Sequence, residues 1–154
     1  MSESPSRPGL VTVTERVHVR RPPEFVWDFT QDYSRRAQWD TSVIEAQVLA
    51  TEPAPSVRVR CAGGLRAVFR YKLFERPRRT SLALEDVHSP WIEGGGGSWS
   101  YEAADGGTLW TQSNSLVVRG GFWRRLFVPL VRRELAASTR RAMRRAKEMM
   151  ERAG

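Results

Sequence analysis

The sequence predicts an α+β domain in which a curved antiparallel sheet of seven strands lies against one long C-terminal helix. Its 154 residues suit a single domain with one hydrophobic core. Seven stretches of alternating apolar and polar residues follow one another through short connections, which favours antiparallel neighbours over parallel crossovers. The final segment instead carries an apolar stripe at helical spacing. The concave face of the sheet is the surface available to cover that stripe.

The first strand and the residues after it set the order of the elements. Residues 10–20 alternate between valines and polar residues, which is typical of a half-buried strand. Pro22 and Pro23 end this strand, because proline has no N–H for the ladder. A short helix is predicted at residues 24–30, and a second helical stretch or turn at 33–39. Six further strands are predicted at residues 43–49, 56–62, 65–76, 79–88, 92–102 and 108–118.

The C-terminal helix has a stripe in which small side chains follow larger ones. At about 100° per residue, seven positions fall on one face. They are Phe127, Val131, Leu135, Ser138, Ala142, Ala146 and Met149. The small residues of this face either let the sheet approach closely or leave room for a bound molecule.

Residues 1–9 are expected to form a disordered tail, which leaves residues 10–154 as one domain. The tail lacks the apolar segment of a secretory signal, and no apolar run reaches the roughly 18 residues of a membrane span. We therefore expect a cytoplasmic location. The single cysteine, Cys61, allows no intramolecular disulfide. It is expected to face inward, either as a small buried apolar residue or as a reactive thiol.

The basic charge is concentrated at the C-terminus. Residues 122–154 contain ten Lys/Arg and three acidic residues, a net charge of +7. The rest of the chain contains fifteen Lys/Arg and fourteen acidic residues, a net charge of +1. The arginines of the helix have three alternative interpretations. They are a solvated face, a weak contact with an anionic membrane in which Phe122 and Trp123 act as anchors, or a docking face for an acidic partner. Specific nucleic-acid binding is not expected, because charge without a recognition motif gives only nonspecific binding.

Three stretches, taken in order, carry a resemblance to a known family. They are RPPEFVWDFTQD at residues 21–32, WDTSV at 39–43, and GGTL at 106–109 ahead of the last strand and helix. Their order and spacing resemble the START-like, or SRPBCC, superfamily with its helix-grip fold, and bacterial polyketide cyclase/dehydrase-like members in particular. The resemblance implies a deep cavity between sheet and helix that binds lipids, polyketides or similar apolar molecules. It implies catalysis only in a minority of members and no universal catalytic motif.

Strand alternation and the helix stripe predict which side chains line this cavity. They are Phe69, Tyr71, Leu84, Trp99, Trp110, Gln112, Asn114, Leu116, Leu135, Ser138 and Ala142. Gln112 and Asn114 either hydrogen-bond to each other and to buried water, or orient a polar group of a ligand. Tyr71 is either a core aromatic residue or a hydrogen-bond donor to the ligand.

His88, supported by Asp86, is the best candidate for acid–base chemistry. If the inward alternation continues past Leu84, this pair lies at the cavity mouth, where imidazole has a suitable pKa. If the alternation breaks before Pro90, the pair is solvated. No metal or cofactor is expected from two histidines and one cysteine without CxxC or HExxH spacing. The glycines at 94–97 precede no helix, so a strand irregularity is expected there instead of a phosphate cradle.

The leading functional hypothesis is a carrier or sensor that holds an apolar small molecule without catalysis. The alternative is a cyclase or dehydratase that acts on a polyketide-like ligand in the same cavity. Its acid–base and orienting groups would come from Tyr71, Asp86, His88 or Asn114. A carrier needs only apolar walls and one or two polar anchors, whereas an enzyme needs a titratable group beside the reacting atom. The sequence predicts no particular oligomeric state.

Overall fold

A seven-stranded antiparallel sheet and a long C-terminal helix form the protein, as seen in a computed structural model that describes residues 7–153. The strands are β1 (Leu10–Val19), β2 (Val43–Ala50), β3 (Ser56–Cys61), β4 (Arg66–Glu75), β5 (Arg79–His88), β6 (Ile92–Ala104) and β7 (Gly107–Val118). The helices are α1 (Pro23–Thr30), α2 (Arg36–Trp39) and α3 (Arg124–Arg152). The predicted helix-grip architecture is confirmed, with strand ends within two residues of the predicted ones.

The sheet is a meander closed at one side by the first strand. Its order is β1-β7-β6-β5-β4-β3-β2, so the chain crosses from one edge to the other through α1 and α2. Helix α1 begins at Pro23, and the carbonyl of Pro22 accepts from the N–H groups of Phe25 and Val26 at 3.0 and 3.1 Å. Helix α3 packs mainly against β1 and β7. The remaining strands therefore lie farther from the helix.

Most of the expected N-terminal tail, residues 1–6, lies outside the described residues. Residues 7–9 form a turn at the start of β1. The N–H of Leu10 donates to the carbonyl of Arg7 at 3.0 Å, and the N–H of Val118 donates to the carbonyl of Gly9 at 2.8 Å. Gly9 has a φ of 79°, and a Cβ there would lie 2.5 Å from the Val118 carbonyl. This part of the expected tail is therefore tied to β7.

The main core lies under the C-terminal half of α3. Ala146 and Met150 are fully buried there against α1, β1 and the inner aromatic residues of the sheet. The members of this cluster are Val19, Val26, Trp27, Phe29, Trp39, Tyr101, Trp110, Ala142, Met143, Ala146 and Met150. At the other end of the predicted stripe, Val131, Leu135 and Ser138 are only half-buried. The stripe thus packs closely at its C-terminal end and leaves space at its N-terminal end.

A carboxylate fixes the C-terminal end of α3 to the end of β1. Glu151 Oε1 accepts from Lys147 Nζ at 2.8 Å and from the N–H of Arg20 at 3.0 Å. Lys147 Nζ also donates to the carbonyl of His18 at 2.6 Å. The hydrogen bond from Lys147, followed by that from Arg20, lowers the pKa of Glu151 to about 2. The ionised form of Glu151 is therefore the form that the fold stabilises.

Glu151→Gln should reduce the acid sensitivity of the fold. Since the folded-state pKa lies below the unfolded value of 4.5, ionised Glu151 stabilises the protein above that pH. The contribution is lost as the pH falls from there towards 2. Urea unfolding at about pH 6 and about pH 2.5 should show a smaller loss of unfolding free energy in Glu151→Gln than in the wild type. Glu148→Gln is the control, because the one ion pair that exposed Glu148 forms among residues 7–153 is with Arg152. An equal change in both variants would contradict the assignment.

Candidate functional site

A cavity of about 750 Å³ lies between the inner faces of β4 to β7 and residues 127–142 of α3. This volume falls within the range of roughly 300–1,000 Å³ that is typical of small-molecule sites. Much of the wall is apolar. Its apolar side chains include Leu65, Phe69, Leu82, Leu84, Leu116, Phe127, Val131 and Leu135.

The wall contains ten of the eleven side chains that the sequence placed there. These ten are Phe69, Tyr71, Leu84, Trp99, Gln112, Asn114, Leu116, Leu135, Ser138 and Ala142. Trp110 is the exception, because it is fully buried in the core. Its ring lies 5.7 Å from the ring of Trp39, and Trp99 lies at the same distance. Trp110 does face inward, but Trp39 from α2 fills the space in front of it.

Asp86 and His88 do not belong to the cavity wall, and both are exposed. Asp86 has a left-handed φ of 48°, and the pairing of β5 with β4 gains one extra residue between Glu85 and His88. This β-bulge reverses the alternation, so that Val87 turns inward and packs against the apolar core. Of the two alternatives from sequence, the structure shows the one in which the alternation breaks before Pro90 and the pair is solvated.

The two predicted amides hydrogen-bond to each other. Asn114 Nδ2 donates to Gln112 Oε1 at 2.9 Å and to Thr139 Oγ1 at 3.2 Å, while its Oδ1 accepts from Trp99 Nε1 at 2.9 Å. Asn114 thus links β6, β7 and α3 through one side chain. Gln112 Nε2 is buried and has no hydrogen-bond partner among the described residues. One amide donor in the cavity wall therefore remains unused.

The glycine-rich segment lies within β6, with a register shift between Ile92 and Gly94, as expected for a strand irregularity. Gly97 lies opposite Asn114 in the register, and a Cβ at Gly97 would lie 3.0 Å from Asn114 Oδ1. The missing side chain keeps the floor of the cavity open. On the outer face of the sheet, a second hollow of about 380 Å³ lies over residues 95–98.

The hydroxyl of Tyr71 belongs to a buried polar chain between α1 and the sheet. Tyr71 Oη donates to Gln31 Oε1 at 2.8 Å and is also hydrogen-bonded to Tyr33 Oη. Gln31 Nε2 donates to Tyr101 Oη at 2.7 Å, and Tyr101 Oη pairs with Thr30 Oγ1 at 2.8 Å. Burial raises the pKa of Tyr71 well above its ordinary value and that of Tyr101 to about 12. Both phenols are neutral at physiological pH, and the Tyr71 hydroxyl is committed to the protein.

Arg36 is a buried charge in the wall that sequence reasoning missed. Only 3% of its side chain is exposed. Its guanidinium carbon lies 4.4 Å from the ring of Tyr33, 4.8 Å from Trp99 and 5.0 Å from Trp39. Asp40 Oδ2 lies 3.6 Å from Arg36 Nη1. The three-residue spacing of Tyr33, Arg36 and Trp39 was the available signal, since such positions share a helix face.

The cavity opens between the first turns of α3 and the loops at the same end of the sheet. Seven residues of its wall are exposed: Thr41, Ala62, Gly63, Trp91, Leu130, Glu134 and Arg141. Within residues 7–153, no three His, Cys, Asp or Glu side chains are grouped so that they could hold a metal ion. No helix in that same range is long and apolar enough to cross a membrane.

A sequence profile of the family described as polyketide cyclase / dehydrase and lipid transport matches residues 11–151. The chain belongs to this family. The matched range includes β1 without its first residue, all of β2 to β7, and nearly all of α3. No curated protein matches the chain in sequence.

Solved structures of low sequence identity share the fold. TTHA0849 from Thermus thermophilus has a TM-score of 0.80 at 16% identity, covering 93% of this chain and 99% of that one. A START superfamily protein from Mycobacterium smegmatis has a TM-score of 0.75 at 13% identity, covering 93% and 99%. The Zhui aromatase/cyclase from Streptomyces sp. R1128 has a TM-score of 0.72 at 18% identity, covering 93% and 94%. At these identities the similarity shows the fold alone.

Cys61 lies in the cavity wall and is buried, as its strand pattern predicts. Burial raises the pKa of its thiol to about 11, so the thiol is protonated at neutral pH. Of the two interpretations from sequence, the small buried apolar residue is the one that fits this environment.

Cys61 should react slowly with iodoacetamide while the protein is folded. At about pH 8, a thiol with this raised pKa has roughly a hundredfold less thiolate than an ordinary cysteine. The alkylation rate, followed by mass spectrometry, should fall at least by that factor relative to the urea-unfolded chain. Equal rates in the two states would contradict the buried, protonated assignment.

Proposed function

We propose that this protein is a carrier or sensor that holds a largely apolar small molecule, of lipid or polyketide type, in the cavity beneath α3. The observation that carries the proposal is the cavity itself, with its apolar walls and few polar groups. Membership of a family described by lipid transport and polyketide chemistry supports a ligand of this class.

The acid–base groups expected of a cyclase are poorly placed for catalysis. His88 and Asp86 lie outside the cavity wall, and Tyr71 is protonated with its hydroxyl committed to Gln31. Asn114 uses its amide to link β6, β7 and α3. A general acid or base must lie within hydrogen-bond reach of the reacting atom. We therefore place the carrier or sensor role ahead of the polyketide cyclase or dehydratase role.

Ser138→Leu should weaken ligand binding and preserve the fold. Ser138 lines the cavity and is half-buried, so the larger side chain enters empty space. Fluorescence titration with the apolar probe N-phenyl-1-naphthylamine should show an affinity about ten- to a hundredfold lower than in the wild type. The free energy of unfolding in urea should change little.

Ala146→Leu is the matched control on the same helix. Ala146 is fully buried against the core, so the same added side chain should cost about 1–3 kcal/mol of stability. Its folded fraction should bind the probe as the wild type does. If Ser138→Leu lost stability as Ala146→Leu does and bound the probe normally, the helix would be packed flush against the sheet and the proposal would fail.

We further propose that the start of α3 contacts an anionic membrane, so that the ligand enters or leaves beside it. Four large apolar side chains are exposed there: Phe122 at 88%, Trp123 at 57%, and Leu126 and Leu130 at 60% each. Leu130 also lines the cavity, which brings this patch to the mouth. Apolar and aromatic side chains beside basic residues are typical of an interfacial anchor.

The arginines around this patch supply charge of the matching sign. Arg125, Arg132 and Arg133 are exposed, and none of them takes part in an ion pair among the described residues. Each basic residue near an anionic surface contributes about 1 kcal/mol of attraction. Farther along the helix, Arg140 and Arg141 pair with Glu15 and Glu134. Arg144 and Arg145 also form no ion pair among the described residues, so unpaired charge extends along the helix from the apolar patch.

A double variant, Phe122→Ser with Trp123→Ser, should lose membrane binding. In co-sedimentation, the wild type should bind vesicles with about 30% phosphatidylserine and bind neutral phosphatidylcholine vesicles more weakly. The double variant should bind the anionic vesicles several-fold more weakly. Ile44→Ser is the control, because Ile44 is an exposed apolar residue on the edge strand β2. Binding that both variants reduce equally, or that neither reduces, would rule out this patch as the contact.

A further inference from the structure

The polar groups of the cavity indicate the chemical class of its ligand. We propose that the cavity selects amphipathic organic acids, and that Arg36 binds the carboxylate or phenolate oxygen of the ligand while its apolar body fills the remaining space. This inference rests on the proposed function, since it specifies which small molecules the cavity holds. It is carried by the unused hydrogen-bonding groups around Arg36.

The unpaired polar atoms are all of one kind. Among the described residues, every buried side-chain nitrogen or oxygen without a hydrogen-bond partner is an N–H donor. These atoms are Arg36 Nε and Nη2, Trp39 Nε1, Trp110 Nε1, Gln112 Nε2 and Arg124 Nε. Arg36 and Gln112 are the two of these residues that lie in the same lining as the apolar walls under residues 127–142. A buried donor without a partner is costly, and oxygen acceptors are its complement.

The residues that carry these donors lie around Trp99, which lines the cavity together with Arg36 and Gln112. The guanidinium carbon of Arg36 lies 4.8 Å from the Trp99 ring, and Gln112 is the direct cross-strand neighbour of Trp99. Trp39, whose Nε1 also lacks a partner, has its ring 6.2 Å from that of Trp99. An acceptor group beside Trp99 would therefore have residues with unpaired donors as neighbours on both α2 and β7.

Asp40 leaves much of the hydrogen-bonding capacity of Arg36 unused. Asp40 Oδ1 accepts from the hydroxyl and the N–H of Ser42 at 2.6 and 3.2 Å. Its Oδ2 lies 3.6 Å from Arg36 Nη1, which is longer than the about 2.7–2.9 Å of a charge-assisted hydrogen bond. The planar fork of a guanidinium matches a carboxylate in shape and charge. A ligand oxygen thus meets a cation whose donors are largely free.

The opposite part of the wall indicates the chemical character of the rest of the ligand. Towards the mouth the lining includes the apolar side chains of Leu116, Phe127 and Val131, which offer no hydrogen bonds. The charged side chains on the helix side of this wall, Glu134 and Arg141, pair with each other at 3.3 Å. A molecule that matches both ends has one anionic oxygen group and an extended or aromatic hydrocarbon body. Fatty acids and aromatic acids belong to this class, whereas sterol esters and hydrocarbons do not.

The test compares an acid with its own ester. The probes are cis-parinaric acid and its methyl ester, titrated by fluorescence at about pH 7.5, where the acid is ionised. The wild type should bind the acid about ten- to a hundredfold more tightly than the ester. Arg36→Met should remove this preference and leave the ester affinity within about twofold of the wild type. Arg35→Met is the matched control, because neighbouring Arg35 is exposed and pairs with Asp32 on the surface.

Each outcome separates this inference from the proposed function. If the wild type binds neither probe, the proposed function fails. If it binds acid and ester equally, the cavity binds apolar molecules and the role of Arg36 is overturned, whatever the variants do. An acid preference that persists in Arg36→Met also overturns it. If circular dichroism shows Arg36→Met to be unfolded, Arg36→Lys serves in its place. Lysine keeps the positive charge but lacks the planar guanidinium fork, so this variant should retain a reduced preference for the acid. An unchanged preference would contradict the inference.

Discussion

The close packing of α3 on the sheet at its C-terminal end is the constraint from which the rest of the structure follows. Ala146 and Met150 leave no space between helix and sheet, and Glu151 fixes that end to β1. The C-terminal end of α3 is therefore fixed to the sheet. The sheet curves away from its other end, and the cavity occupies the gap between them. Small side chains allow close contact at Ala146 and leave open space at Ser138, on the same face of one helix.

The order of the elements could be read from the sequence because local patterns determine it. Period-two alternation, the proline pair before α1 and the helical stripe each depend on a few neighbouring residues. The site depends on contacts between distant elements, and there the prediction was incomplete. Trp110 faces inward as its strand pattern indicates, but a residue from α2 fills the space that the pattern left open. Asp86 has a left-handed φ, but no glycine in this strand signals a bulge in the sequence. The loss of alternation before His88 could therefore not be predicted from the strand pattern.

Arg36 shows the same limit for charge. An arginine in a short polar segment is ordinarily exposed, and the rings of Tyr33, Trp39 and Trp99, together with Asp40, make its burial possible. Two of these rings come from α2 or its approach, and the third comes from β6. The polar residues that the sequence did identify, Gln112 and Asn114, are satisfied largely by each other and by Trp99 and Thr139. The specificity that we propose for this cavity thus rests on a residue that only tertiary packing places there.

The glycines of β6 have a consequence for how the interior communicates with solvent. Gly96, Gly97 and Ser115 border both the cavity and the hollow on the outer face of the sheet. A single layer of peptide groups therefore separates a cavity occupant from bulk water at this point, without the side-chain padding found elsewhere in the wall. A Cβ at Gly96 would lie 2.6 Å from the carbonyl of Leu82, so this partition cannot be thickened there by substitution. The backbone amides of this segment are therefore in a position to respond, on the outer face of the sheet, to whether the cavity is filled.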